Sequence, residues 1–277
     1  MRRIMLSIVA AAFLAAAAPA AAQNAPAPKP ILTTIDKVPM VELYDGGGGL
    51  PYLGSTTSYN AGDWEGALRT YHDSGVYLNQ VAQIDTLAQR AIDKGDRHYR
   101  VQYKHARAAA KHGNGHDGHG GGHGGGHMPR KPAIVLDIDE TSLSNYSAIN
   151  ADNFTFGTNS QGEATNEVGV AIPSTLALYK DAIARGVAVF FITGRGEASR
   201  PHTEHNLIAQ GFDKWSAVVL KPAGSTLSTV AYKSGARADI EKQGFEIVAN
   251  IGDQYSDLAG GHADAAYKLA NPFYFLP

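Results

Sequence analysis

Asp137 and Asp139 stand two residues apart in the run Asp137-Ile138-Asp139-Glu140-Thr141, directly after the apolar stretch 133–136. Carboxylates that close raise each other's proton affinity unless a cation sits between them. Further along, Thr193 precedes Gly194 and Arg195, which places a hydroxyl ahead of a turn. Lys233 is a single cation able to neutralise an anionic substrate, and Gly252-Asp253 with Asp257 adds two more carboxylates. Any one of these is ordinary, since surface aspartates are common and a D-x-D triplet arises by chance. Taken together they supply four carboxylates, one ammonium and one hydroxyl. Hard oxygen donors of that kind suit Mg²⁺, which typically takes one or two carboxylates along with substrate phosphate oxygens. Phosphoryl transfer is the chemistry such a set can perform.

The elements that must hold these groups can be read from the hydrophobic pattern. The runs 133–136, 187–192 and 217–220 are continuously apolar, and 247–251 is apolar except for Asn250, as expected of strands buried on both faces of a parallel sheet. Between the first two, Pro173 suits a helix N1 position, Leu176, Tyr179 and Ile183 share one face, and Gly186 closes the helix. Pro201 begins a second helix that Gly211 ends. Strand and helix alternate, which predicts an α/β fold with a doubly wound, mostly parallel, Rossmann-like sheet. Ligands of such sheets bind beyond the carboxyl ends of the strands. The polar groups follow that rule in order, with Lys233 expected just ahead of a helix beginning near Ser234. Upstream, apolar positions recur at spacings of three and four from Asp63 to Lys94, an amphipathic helix interrupted near Gly75 and continued by a basic stretch to Lys111.

Asp137-Ile-Asp-Glu-Thr141, Ile192-Thr-Gly-Arg195, Tyr232-Lys-Ser234 with Arg237 and Ile240, and Gly252-Asp253 to Asp257 resemble the four motifs of the haloacid dehalogenase (HAD) superfamily. In detail they are similar to its subfamily IIIB acid phosphatases, the secreted bacterial class C type among them. The resemblance runs from about Ala133 to the C-terminus. It implies an Mg²⁺-dependent acid phosphatase acting on phosphomonoesters, nucleoside monophosphates being one candidate class. Asp137 would be the nucleophile that forms an aspartyl-phosphate, and Asp139 the general acid that protonates the leaving alkoxide and then activates water. Mg²⁺ would be held by the Asp137 carboxylate, the Asp139 main-chain carbonyl, Asp253 and Asp257. Thr193, Gly194, Arg195 and Lys233 would bind the substrate phosphate, with Thr193 on a phosphoryl oxygen and Lys233 stabilising the developing charge. Tyr146, Phe154 and Phe156, in an Asn- and Gly-rich lid, are candidates to stack on the leaving group. The family pattern often carries a second acidic residue beside the position of Asp257, where Ser256 stands here.

Composition bounds the alternatives. The 277-residue chain is 44% hydrophobic and 18% charged, enough to bury a core. Its formal charge of -2 gives no global field for nucleic acid polymers or anionic lipid. Cysteine is absent, which excludes disulfides, thiolate nucleophiles and cysteine-held metals. Arg2 and Arg3, an apolar stretch to Ala18 and Ala20-Ala-Ala22 read as a cleaved signal peptide, predicting a periplasmic or secreted protein with no membrane anchor. His112, His116, His119, His123 and His127 lie among nine glycines, too many for a stable helix. This flexible segment either is a solvated linker or captures transition metals weakly. The chain thus divides into a signal peptide (1–22), an extended leader (23–62), an N-terminal helical part (63–111), a His/Gly-rich loop (112–130) and a catalytic core (131–277) with a lid at about 144–171. A phosphotransferase on the same fold and a periplasmic metal-binding protein using the His-rich loop are the alternatives.

Overall fold

The computed structural model describes residues 34–35, 38–39, 42–46, 59–60, 64–112 and 127–276. The predicted signal peptide, most of the leader, and His116, His119 and His123 lie outside the described residues. Strands β1 (Thr34–Ile35) and β2 (Val38–Pro39) pair antiparallel. They precede β3 (Glu42–Asp45), β4 (Tyr59–Asn60), α1 (Glu65–Asp73) and α2 (Val76–His112). The core region then runs β5 (Lys131–Leu136), β6 (Leu143–Ser144), α3 (Tyr146–Ala151), α4 (Thr158–Gln161), α5 (Glu163–Asn166), β7 (Val170–Ala171), α6 (Pro173–Arg185) and β8 (Ala188–Gly196). It closes with α7 (Arg200–Ala209), β9 (Ala217–Lys221), α8 (Thr229–Lys242), β10 (Phe245–Gly252), α9 (Tyr255–Leu258), β11 (Ala265–Lys268) and β12 (Tyr274–Phe275).

Six strands form one sheet in the order β3-β11-β10-β5-β8-β9, and all five neighbouring pairs are parallel. Three of the four apolar runs are the interior strands β10, β5 and β8, the fourth is the edge strand β9, and the apolar character of the interior ones has the expected cause. Ala133, Val135, Ala188, Phe190 and Ile192 pack under Tyr232 and Ile240 of α8. Ile134, Leu136, Val189 and Phe191 face the other way into the larger core with residues of α2 and α6. Both faces are covered, so a polar side chain within these strands needs a partner, as Asn250 of β10 finds in the Asp257 carbonyl at 3.1 Å. Helix α6 spans the predicted limits, and Gly186 caps it at φ 77, a left-handed conformation that costs glycine little.

From β5 the chain proceeds to β8 and β9 on one side, then crosses to β10 and β11 on the other. The direction of winding therefore reverses between β5 and β10, opening a crevice at their carboxyl ends. Ile251 lies opposite Leu136, and the Asp137 amide donates to the Ile251 carbonyl at 3.0 Å. The first and fourth motifs thereby emerge side by side.

The helical N-terminal part joins the main core: Tyr77, Val81, Ile84, Ala88 and Ile92 of α2 are buried there, so α2 is one layer of the sandwich. Two expectations are corrected. Residues 42–45, expected within a leader, form edge strand β3, where Tyr44 stacks on Tyr267 of β11 at 5.0 Å. Lys233 does not precede its helix. Ser228 caps α8 by accepting from the Ala231 amide, so the helix starts earlier and Lys233 sits inside it.

Candidate active site

A cavity of about 410 Å³ opens over the carboxyl ends of β5, β8, β9 and β10, and its walls include Asp137, Asp139, Gly194, Arg195, Lys233, Asp253 and Asp257. Asp137 leaves β5 where the backbone turns sharply. The Ile138 carbonyl accepts from the Ser142 and Leu143 amides, and the Asp137 carbonyl accepts from Ser142 Oγ at 2.6 Å. Glu140 takes a left-handed φ of 49 within that turn.

Lys233 reaches in from α8 and donates to Asp137 Oδ1 at 2.5 Å and to Asp257 Oδ1 at 2.6 Å. Burial works against its charge, but the two carboxylates outweigh that and hold its pKa above the ordinary lysine value. Asp257 is fixed in turn by the capping box of α9, its Oδ2 accepting from the Gln254 amide at 2.9 Å. Gly252 is required beside it, because a Cβ there would lie 2.6 Å from the Asp257 Cβ. Arg237, fully buried, donates to the carbonyls of Asp257, Ala259 and Gly261 and pins the same loop from behind.

Asp253 Oδ2 accepts from Gln254 Nε2 at 2.6 Å and Asn271 Nδ2 at 2.7 Å, while Thr141 Oγ1 donates to its Oδ1 at 3.2 Å. Burial, then the nearby Asp257, pushes Asp253 up to about 6. Burial also raises Asp137 well above its usual value; Lys233 opposes this, and Asp257, Asp253 and Asp139 add to it. Asp137, Asp253 and Asp257 each offer a carboxylate oxygen, all within 4.8 Å of one another. Three buried carboxylates around one ammonium leave the group short of positive charge, and oxygen-only donors at that spacing fit a hard divalent cation.

Asp139 lies apart from this trio. Arg195 grips it through Nε and Nη2, at 3.0 and 2.6 Å, and Asn145 Nδ2 donates to it at 2.8 Å. Burial favours its neutral form, but Arg195 and then Asn145 prevail and hold the carboxyl below its usual range.

The remaining predicted residues divide. Thr193 is fully buried and is not among the cavity-lining residues; its Oγ1 accepts from the Arg195 amide at 3.1 Å, shaping the Gly194–Arg195 turn. Tyr146 also stays out of the cavity, because its ring stacks on His72 of α1 at 3.4 Å. Phe154 lines the cavity but is 1% exposed, wedged against Phe273 at 5.9 Å. Phe156 is 48% exposed at the rim, 6.2 Å from Tyr274. His127 is exposed ahead of β5, and His112 is the last residue of α2.

Several contributors escaped the sequence reading. Asn145, Gln254 and Asn271 orient the carboxylates, and Lys221, at the carboxyl end of β9, lines the cavity. The strand-end rule could have found Lys221. Fully buried Glu140 accepts from the Asn145 amide and from Tyr274 Oη, both at 2.6 Å. Burial, then Asp139, pushes it up to about 8. No local signal marks Tyr274, which β12 delivers from 134 residues away.

A parallel α/β sheet with an aspartate at the end of its central strand, a buried lysine on a following helix and an acidic pair on the adjacent strand defines the class of fold and site. Residues 69–277 match the HAD superfamily, subfamily IIIB (acid phosphatase) profile, and the chain belongs to that family. It is 36% identical to vegetative storage protein 1 of Arabidopsis thaliana over 152 residues, covering 52% of this chain and 55% of that protein. It is 35% identical to acid phosphatase 1 of Solanum lycopersicum over 150 residues, covering 51% and 58%. The chain thus spans less than two thirds of the length of these relatives. Among solved structures, the class C acid phosphatase from Bacillus anthracis with tungstate bound shares the fold. Its TM-score is 0.51 at 18% identity, over 77% of this chain and 86% of that one.

Proposed function

We propose that this chain is an exported acid phosphatase that hydrolyses phosphomonoesters, nucleoside monophosphates among the candidates, through an aspartyl-phosphate on Asp137 with Mg²⁺ as cofactor. The observation that carries the reading is the buried trio Asp137, Asp253 and Asp257 around Lys233 at the switch point of the sheet. Those three carboxylates would hold Mg²⁺, which when bound supplies stabilisation for negative charge on the phosphoryl oxygens. Lys233 occupies Oδ1 of Asp137, fixing the carboxylate and leaving Oδ2 for attack on phosphorus. The same ammonium offsets repulsion between the nucleophile and the incoming anion.

As the Asp137–phosphorus bond forms, the bond from phosphorus to the ester oxygen breaks, and Asp139 donates a proton to the departing alkoxide. Water then attacks phosphorus and yields its proton to Asp139, and orthophosphate leaves as Asp137 regains its carboxylate. The Arg195 pair is the resting, ionised state of Asp139, so proton delivery requires the carboxyl to turn from Arg195, take up a proton from solvent and face the leaving oxygen. Lys221 and the Gly194–Arg195 turn flank the space for the phosphate.

Export is supported by the signal-peptide pattern of residues 1–22. Among the described residues no helix is long and apolar enough to cross a membrane. The test is a panel of phosphomonoesters assayed from pH 4 to 9, with and without Mg²⁺, on protein whose processed N-terminus has been read by mass spectrometry. Hydrolysis that disappears on chelation and returns with Mg²⁺ is expected; metal-independent turnover, or none, would contradict the proposal.

A further inference from the structure

Glu163, the first residue of α5, lines the cavity from the lid side together with Thr155 and Ser160. Among the described residues its carboxyl makes no hydrogen bond and no ion pair, which sets it apart from Asp137, Asp139 and Glu140 around the same space. Of the aromatic residues that line that cavity, Phe154 and Phe273 are buried, while Phe156 and Tyr274 keep accessible surface. A carboxyl without a partner in one cavity with accessible aromatic rings is the combination that receives an organic cation, because the ring quadrupole and the carboxylate attract the same charge.

The surroundings point the same way. Burial first, then Asp139 and Glu140, push Glu163 up to about 9, with Arg195 opposing and Asp152 adding. A ligand cation placed against Glu163 would favour its ionised form and take the place of its proton. An anionic leaving group would meet repulsion there.

Resting on the phosphatase reading above, we infer that Glu163 is a specificity-determining residue which selects phosphomonoesters whose alcohol carries an ammonium group. The phosphate lies at Asp137 and Lys233, and the ammonium lies against Glu163 and the aromatic wall. The selectivity therefore resides in the lid and leaves the nucleophile and its cation unchanged.

The experiment compares kcat/KM for O-phosphoethanolamine and for propyl phosphate, which carries a methyl group where the first has its ammonium. It uses the full chain with Mg²⁺ and p-nitrophenyl phosphate as a general substrate. The expected ratio in the unmodified protein is about tenfold or more in favour of phosphoethanolamine, falling at least about fivefold in both E163Q and E163A. Because both substrates are read on one sample, loss of folded protein cancels from the ratio. A ratio of one or less, or one that both variants leave unchanged, overturns the inference while p-nitrophenyl phosphate is still hydrolysed. A preference for a nucleoside monophosphate over phosphoethanolamine that E163Q leaves intact overturns it as well. Failure to hydrolyse p-nitrophenyl phosphate would instead sink the phosphatase reading itself.

Discussion

Lys233 holds two carboxylates at once, and both are buried. Removing a partner from a buried ion pair strands the remaining charge at a cost of about 3–5 kcal/mol. K233M is therefore expected to lose about that much stability at neutral pH without metal, measured by urea denaturation, on top of its loss of turnover. D137N keeps the shape of the nucleophile but removes its nucleophilicity. It should lower kcat by more than about 10³-fold, the scale seen when a nucleophile is deleted, with an unchanged circular dichroism spectrum. Arg195 acts on Asp139 in one direction, holding its proton affinity down. In R195M that restraint is gone, the Asp139 carboxyl rises, and it stays protonated to higher pH. The alkaline limb of the kcat/KM profile should then move upward, whereas an Arg195 that only binds phosphate would raise KM and leave the limb in place.

At the scale of elements, the contact between α2 and α6 carries its own pH signature. Asp85 of α2 accepts from Thr175 Oγ1 at 3.1 Å, while its Oδ1 is buried without a partner. Burial pushes it up from 3.8 to about 7, with Ser174 and Thr175 opposing. A carboxyl whose folded pKa is raised destabilises the fold as pH climbs, because the unfolded chain releases its proton first. Stability should fall between about pH 4 and pH 7 and then level off, and D85N should flatten that slope and exceed the unmodified protein at pH 7.5 by a few kcal/mol in urea midpoints. Pattern alone indicated α6, α7 and strands β5, β8, β9 and β10, because proline, glycine and apolar runs are local signals. Strands β3 and β11 were not legible. The segment Ala265–Lys268 is four residues long and ends in a lysine. Its burial depends on a partner strand from the far end of the chain and on Lys268 lying over the Tyr255 ring at 5.0 Å.

For the whole molecule, the site converges from both sides of the switch point, so the order of motifs along the chain foretold which carboxylates meet. It could not foretell orientation. Tyr146 and Arg195 each turned to a protein partner that lies on another element, Thr193 turned to the Arg195 amide on its own strand, and Tyr274 arrives through the terminal strand pair with β4. Closing a carboxylate trio around a divalent ion links binding to folding, and a ligand at 100 times its Kd adds about 2.7 kcal/mol. Thermal melts should therefore rise with Mg²⁺ in the unmodified protein and respond far less in D253N. The central claim, an acyl phosphate on Asp137, is tested most directly by trapping it. Enzyme turning over a phosphomonoester with Mg²⁺ is quenched in acid and reduced with borohydride, which converts an acyl-phosphorylated aspartate to homoserine, and its peptides are sequenced by mass spectrometry. Homoserine at position 137, dependent on substrate, is the predicted result; an unmodified Asp137 during active turnover, or label at another residue, would contradict it.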